Sequence, residues 1–111
     1  MLVTTTHHIE QCKIISYKGI VTGEALIAAS IVKDVFAKVR DFFGGQSGLY
    51  TKELKIARDE SISKMKDTAH NLGANAIIGI DIDYQVVGKN GSMILVSVNG
   101  TAVYAQESQD D

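Results

Sequence analysis

The sequence contains no proline, and its only cysteine is Cys12. Without proline the chain must be punctuated by glycine, at Gly19, Gly23, Gly44, Gly45, Gly48, Gly73, Gly79, Gly88, Gly91 and Gly100. One thiol cannot form an internal disulfide, and a reducing cytoplasm is the simplest home for such a chain. Neither sign of charge dominates: 11 basic and 13 acidic side chains leave a net charge of -2, and the lysines and arginines are spread along the chain. A basic patch that would neutralise phosphates is therefore missing, which excludes nucleic acid as an expected partner. The longest small or apolar stretch runs from Ala25 to Val32, short of the roughly 20 residues that cross a bilayer. The start MLVTTTHHIE has no basic flank and no apolar run, so neither a membrane span nor a signal peptide is expected. No local spacing brings a nucleophile, a base and an orienting residue together, and an enzyme is the function class with least support.

The composition that remains is that of a folding chain. Apolar residues are 45% and charged residues 22% of 111 positions, enough for one domain with one core. From Lys13 to Ala29 the odd positions Ile15, Tyr17, Gly19, Val21, Gly23, Ala25 and Ile27 alternate with Ser16, Lys18, Thr22 and Glu24. That period of two predicts one long, curved strand whose odd residues face a core. Gly19 and Gly23 fall on the inner side, where a missing side chain predicts a bend or a close backbone approach. After Ser30, Ile31, Val35, Val39 and Phe42 repeat at helical spacing up to Gly44-Gly45 and predict a short helix. A second helix is predicted by the stripe Leu54, Ala57, Ile62, Met65, Ala69 and Leu72, with Gly73 as its left-handed end. Two strands follow, over Ala76 to Val86 and Ile94 to Tyr104, joined by a Lys89-Asn90-Gly91 turn into an antiparallel hairpin. Residues 107–111 read as a frayed acidic tail after a single domain of 1–106.

Four positions carry the strongest inference about assembly. If Ile78, Ile80, Val96 and Val98 face the helices, alternation turns Ile77, Met93, Leu95 and Val103 to the opposite face, with nothing in the chain to cover them. Soluble proteins seldom leave such a patch bare, so a second copy of the chain is the economical cover. Two clusters carry possible ligand chemistry. In an extended strand His8, Glu10 and Cys12 of THHIEQC would share one face, and imidazole, carboxylate and thiolate are all metal ligands. The spacing matches no structural zinc signature, and an exposed turn or strand end is the expected reading. Asp81 and Asp83 project from one strand face, where two carboxylates can share a divalent cation, although a solvated face predicts the same pattern. The loop GGQSG at 44–48 is expected to turn the chain between helices, since no lysine follows to complete a phosphate loop.

Three segments together, VTGEAL at 21–26, VRDFFGGQSGLYTKELKIARDESI at 39–62 and LGANAIIGIDIDY at 72–84 with NGTAVY at 99–104, resemble the YbjQ-like family of small bacterial and archaeal proteins. That family is labelled heavy-metal-binding and has no known reaction. The resemblance implies a two-layer α/β (α+β) subunit of dodecin-like fold, with two helices on one face of an antiparallel sheet, assembled into a homopentameric ring. Gln46 and Thr51 depart from the family's usual arginine and acid at those positions. The expected function is a homo-oligomeric binding protein for a metal ion or small ligand held between subunits. The alternative is a structural or stress-related assembly module that recruits another protein and holds no ligand.

Overall fold

The structure, a computed structural model, describes residues 1–27, 48–89 and 93–108. Strand β1 is Leu2–Val3, β2 is Cys12–Ile27, helix α1 is Gly48–Asn71, β3 is Ala76–Val87 and β4 is Met93–Glu107. The strands form one sheet in the order β1-β3-β4-β2, and the fold is α+β. The helix expected after Ser30 and the loop at 44–47 lie outside the described residues.

The sheet is mixed where an antiparallel one was expected. β2 and β3 both run antiparallel to the central β4, but the two-residue β1 pairs parallel with the start of β3. A two-residue strand has no hydrophobic period of its own, so its pairing was invisible to alternation. β4 also continues to Glu107, where Cys12 is its partner, so the region read as a frayed tail begins inside the sheet.

Helix α1 lies on one face because its inward stripe is built from small residues. Ala57, Ser61, Met65 and Ala69 recur every fourth position and are buried, while Lys52, Lys55, Asp59, Glu60, Lys64 and Asp67 stand in solvent. The buried hydroxyl of Ser61 donates to the Ala57 carbonyl at 2.8 Å and lies 3.3 Å from the Val96 carbonyl, so its burial leaves no polar atom unpaired. Directly beneath, Gly23 lets the helix backbone touch β2: a Cβ there would lie 1.9 Å from the Ser61 carbonyl oxygen. The close approach expected at Gly23 is present. The helix ends as expected at Gly73, whose N–H donates to the His70 carbonyl while that of Ala74 donates to the Ala69 carbonyl, a Schellman cap. Two clusters fill the space under the helix. One joins Val21, Met65, Ala69, Ala74, Ile77, Ile80, Val98 and Ala102, and the other joins Ala25, Ile27, Ala57, Ile94 and Val96.

Two irregularities decide which residues reach that face. In β3 the register slips between Ile78 and Asp81, with Gly79 at a φ of +61°. This bulge places Gly79 and Ile80 opposite the single residue Gly100 and inverts the alternation on its N-terminal side. Ile77 therefore joins Ile80 beneath the helix, fully buried, and Ile78 points to the other face. The expectation that Ile77 lacks intramolecular cover is corrected for that reason. In β2, slips between Ile14 and Ser16 and between Tyr17 and Gly19 leave Ile15 and Lys18 as extra residues. The odd-inward pattern holds for Val21, Gly23, Ala25 and Ile27, but Ile15 and Tyr17 are exposed.

Candidate functional site

The face away from the helix divides into three zones, set by cross-strand pairs whose side chains share a side. At one end Ala76, Ile78 and Val103 form a small buried cluster, covered by Ile9 and Ile14. Val103 is thus sealed inside its own chain, which corrects the second of the four expected bare positions. Ile9 reaches the cluster from the N-terminal strap, residues 4–11, and Ile14 from the start of β2. Thr4 donates its N–H to the Ile77 carbonyl at 3.0 Å, and Gly79 and Ile80 donate to the carbonyls of Thr6 and Thr4 at 2.9 and 3.2 Å. The bulge in β3 is thereby held by the strap.

A polar band follows. Asp81 pairs with Asn99 and Asn99 with Thr22; Asp83 pairs with Ser97 and Ser97 with Glu24. Asp81 and Asp83 are exposed neighbours, and the hydrogen bond and negative charge of Asp81 hold the Asp83 carboxyl above its ordinary 3.8. Beyond the band lie half-buried Leu95 and Met93, with Leu26 beside Leu95 on β2.

The residues of this face that alternation on β3 and β4 did not single out are on β2. Ile20 is 81% exposed, Tyr17 70% and Leu26 57%. Ile20 and Leu26 were readable as large apolar residues at outward positions, whereas Tyr17 was hidden by the two bulges. β2 is also an edge of the sheet, and part of that edge is occupied: Lys64 Nζ reaches down from α1 and donates to the Glu24 carbonyl at 2.9 Å, while lying 3.4 Å from Glu60. Glu24, Ala25, Leu26, Lys64 and Leu95 line a shallow depression there.

THHIEQC is not extended. Residues 5–8 bend and Glu10-Gln11 turn, with Gln11 at a φ of +64°. A left-handed residue between Glu10 and Cys12 breaks the alternation that would have set His8, Glu10 and Cys12 side by side. His8 and Glu10 are exposed, Cys12 is half-buried at the start of β2, and no three His, Cys, Asp or Glu side chains gather to hold an ion among the described residues.

These features define a small α+β domain with one face closed by its own helix and the other a polar band between apolar zones. The chain belongs to the YbjQ-like family, described as "Putative heavy-metal-binding", whose model matches residues 1–106. It is also similar in fold to a DUF74 family protein of unknown function from Pediococcus pentosaceus ATCC 25745, with 24% identity and a TM-score of 0.58 over 96% of this chain and 98% of that one. Among the described residues no helix is long and apolar enough to cross a membrane.

The donor set does not fit a heavy-metal ion within one chain. Soft metals select thiolate and thioether sulfur, and zinc or copper also takes imidazole. Cys12, His7, His8, His70, Met1, Met65 and Met93 are all such donors that the sequence offers, and every one is among the described residues. They are scattered: Met65 is fully buried under the helix, His70 is exposed in the last turn of α1, and Met93 opens the strand that ends beside Cys12.

Proposed function

We propose that the chain is a subunit of a closed homo-oligomer, a ring of five by family resemblance, that binds a divalent cation or small polar ligand between its subunits in a reducing cytoplasm. The observation that carries this reading is the exposed apolar strip Tyr17, Ile20 and Leu26 on the uncovered sheet face, continued by Leu95 and Met93. A patch of this kind is uncommon on a monomer and ordinary at an interface. The shape supports it: principal extents of 59 × 26 × 15 Å and a radius of gyration of 17.3 Å exceed the roughly 13 Å of a compact domain this long. Among the described residues the sheet carries a helix on one face only, and in the proposed ring the other face gains its cover from neighbours. The polar band of Asp81, Asp83, Ser97, Asn99, Thr22 and Glu24 would then be enclosed between apolar zones, where hydroxyls, amides and carboxylates suit a hard cation or a hydroxylated molecule.

Native mass spectrometry of protein purified without added metal tests this reading. A ring carrying a stoichiometric small molecule or ion is expected. An empty ring favours the second reading, an assembly module that recruits another protein. A folded monomer at micromolar concentration would overturn both.

A further inference from the structure

We infer that the soft donors of one subunit, its thiol, imidazoles and thioethers, form no heavy-metal site by themselves, so that the family's description does not extend to this chain as a soft-metal site within one folded copy. The ground is where the soft donors are held. Glu107, the strand partner of Cys12, and Met93 stand at opposite ends of β4, about 45 Å apart at strand rise, so the one thiolate and the one partly accessible strand thioether cannot share an ion. Met65 is sealed in the core, and His70 sits on the helix rather than on the strap. Met1 precedes Leu2, the partner of Ala76, whereas the His7 ring lies against Gly79 farther along β3. His7, His8 and Cys12 are also close in sequence, but among the described residues they do not gather into a metal-holding group. Ile9, between the histidines and the thiol, packs into the cluster of Ala76, Ile78 and Val103. The Ile9 carbonyl accepts from the Cys12 N–H at 3.1 Å, and the Gln11 carbonyl accepts from the Ser108 N–H at 2.8 Å. On the other side the Thr6 hydroxyl donates to the His8 carbonyl at 2.7 Å. To wrap this segment around an ion, Ile9 would have to leave its cluster and the turn at Gln11 would have to open. Metal-ligating side chains are held in orientation by supporting hydrogen bonds; here the hydrogen bonds of the strap hold a different arrangement.

The inference does not depend on the ring proposed above, because it concerns donors within one chain. It predicts that reduced protein titrated with cadmium or copper(I) shows no thiolate-to-metal absorption at one ion per chain, and that Cys12→Ser binds either ion as weakly as the unmodified protein. Absorption that saturates at one ion per chain, disappears in Cys12→Ser, weakens at least about tenfold in His8→Ala and is not recovered when Cys12→Ser and His8→Ala chains are assembled together would overturn it, whereas recovery in the mixture would support it by placing thiol and imidazole on different chains. Saturation at one ion per several chains, lost in Cys12→Ser, would support it by showing that copies must be combined to make a site. Binding that is untouched by Cys12→Ser and displaced by calcium would support it as well, by assigning the ion to carboxylates. Light scattering on the same samples reports the assembly separately, so failure of the ring and failure of this inference leave different signatures.

Discussion

The two faces of the sheet solve the same problem in opposite ways. Under α1 the chain uses small residues, Gly23, Ala57 and Ser61, so that helix and strand backbones come into contact and no partner is needed. On the other face it places large residues, Tyr17, Ile20 and Leu26, at the sheet surface and leaves them exposed. Burial of an apolar side chain is worth about 1.5 to 3 kcal/mol wherever it occurs, and the two faces differ in whether the covering atoms are found among the described residues. The comparison separates residues that make the subunit from residues available to an assembly, and substitutions on each face should have different readouts.

The largest effect is expected on the closed face, at Gly23→Ala. The added Cβ would lie 1.9 Å from the Ser61 carbonyl oxygen, and the atom in the way is helix backbone, which cannot rotate aside. The whole of α1 would have to lift from β2, at a cost of about 3 kcal/mol or more. Urea denaturation of this variant should show a large loss of stability or no folded baseline. A midpoint within error of the unmodified protein would mean that the helix does not seat on Gly23.

On the open face, Ile20→Glu should leave the subunit folded, since the side chain is 81% exposed and touches no core cluster. Its effect should fall on the proposed association: a charge placed within an apolar contact between copies would shift the assembly midpoint by tenfold or more in concentration, about 1.4 kcal/mol or above. Sedimentation and circular dichroism separate the two outcomes. If the proposed ring forms, helix and sheet signals that persist while it dissociates are expected, and a ring unaffected by the substitution would remove Ile20 from the proposed contact.

A smaller loss is expected at the seam between the faces. The side chain of Asn75 imitates a strand partner: its amide nitrogen donates to the Ala105 carbonyl at 2.8 Å, and its oxygen accepts from the Ala105 N–H at 2.8 Å. Asn75→Ala removes both bonds, and because the site is exposed, water replaces them in part, for a net cost of about 1 to 2 kcal/mol. Faster hydrogen exchange at the Ala105 amide would report the same loss locally. Asn75→Asp should retain acceptance but lose donation, and fall between the two.

Residues whose pattern is periodic could be read directly from the sequence. The stripe Ala57, Met65 and Ala69, the inward face of β4 and the cap at Gly73 all follow from spacing, and so does the approach at Gly23. What escaped were the places where the period changes without a change of composition. The bulge at Gly79 adds one residue to a run of isoleucines, and every side assignment before it inverts, which moved Ile77 to the core and Ile78 to the far face. The strap escaped for a different reason: its cover over Val103 is made by Ile9 alone, amid polar residues that carry no period. Leu95 and Met93 do lie on the expected face, because β4 has no bulge between them and Val103. The pairing of Asp81 with Asp83 on one face was readable because both follow the bulge.

The smallest effect is expected at that carboxylate pair. Asp81 offers a hydrogen bond to the protonated Asp83 carboxyl and repels its charged form, and both effects raise the Asp83 pKa above 3.8 in the folded chain. A carboxyl whose folded pKa is raised takes up its proton in the native state before the unfolded chain does, so the pair opposes folding at neutral pH. That cost diminishes as pH falls through the folded pKa and is gone below the unfolded value near 3.8. Asp83→Asn should therefore be slightly more stable than the unmodified protein at pH 7, and the difference should close on acidification through that window. Because both groups are exposed, added salt should narrow the gap as well. A cation bound between the carboxylates would reverse the sign, making Asp83→Asn the less stable protein at pH 7 in the presence of the ion. Thermal melts at pH 7 and pH 3.5, with and without calcium, distinguish a repelling pair on a solvated face from a pair of ligands in an enclosed band.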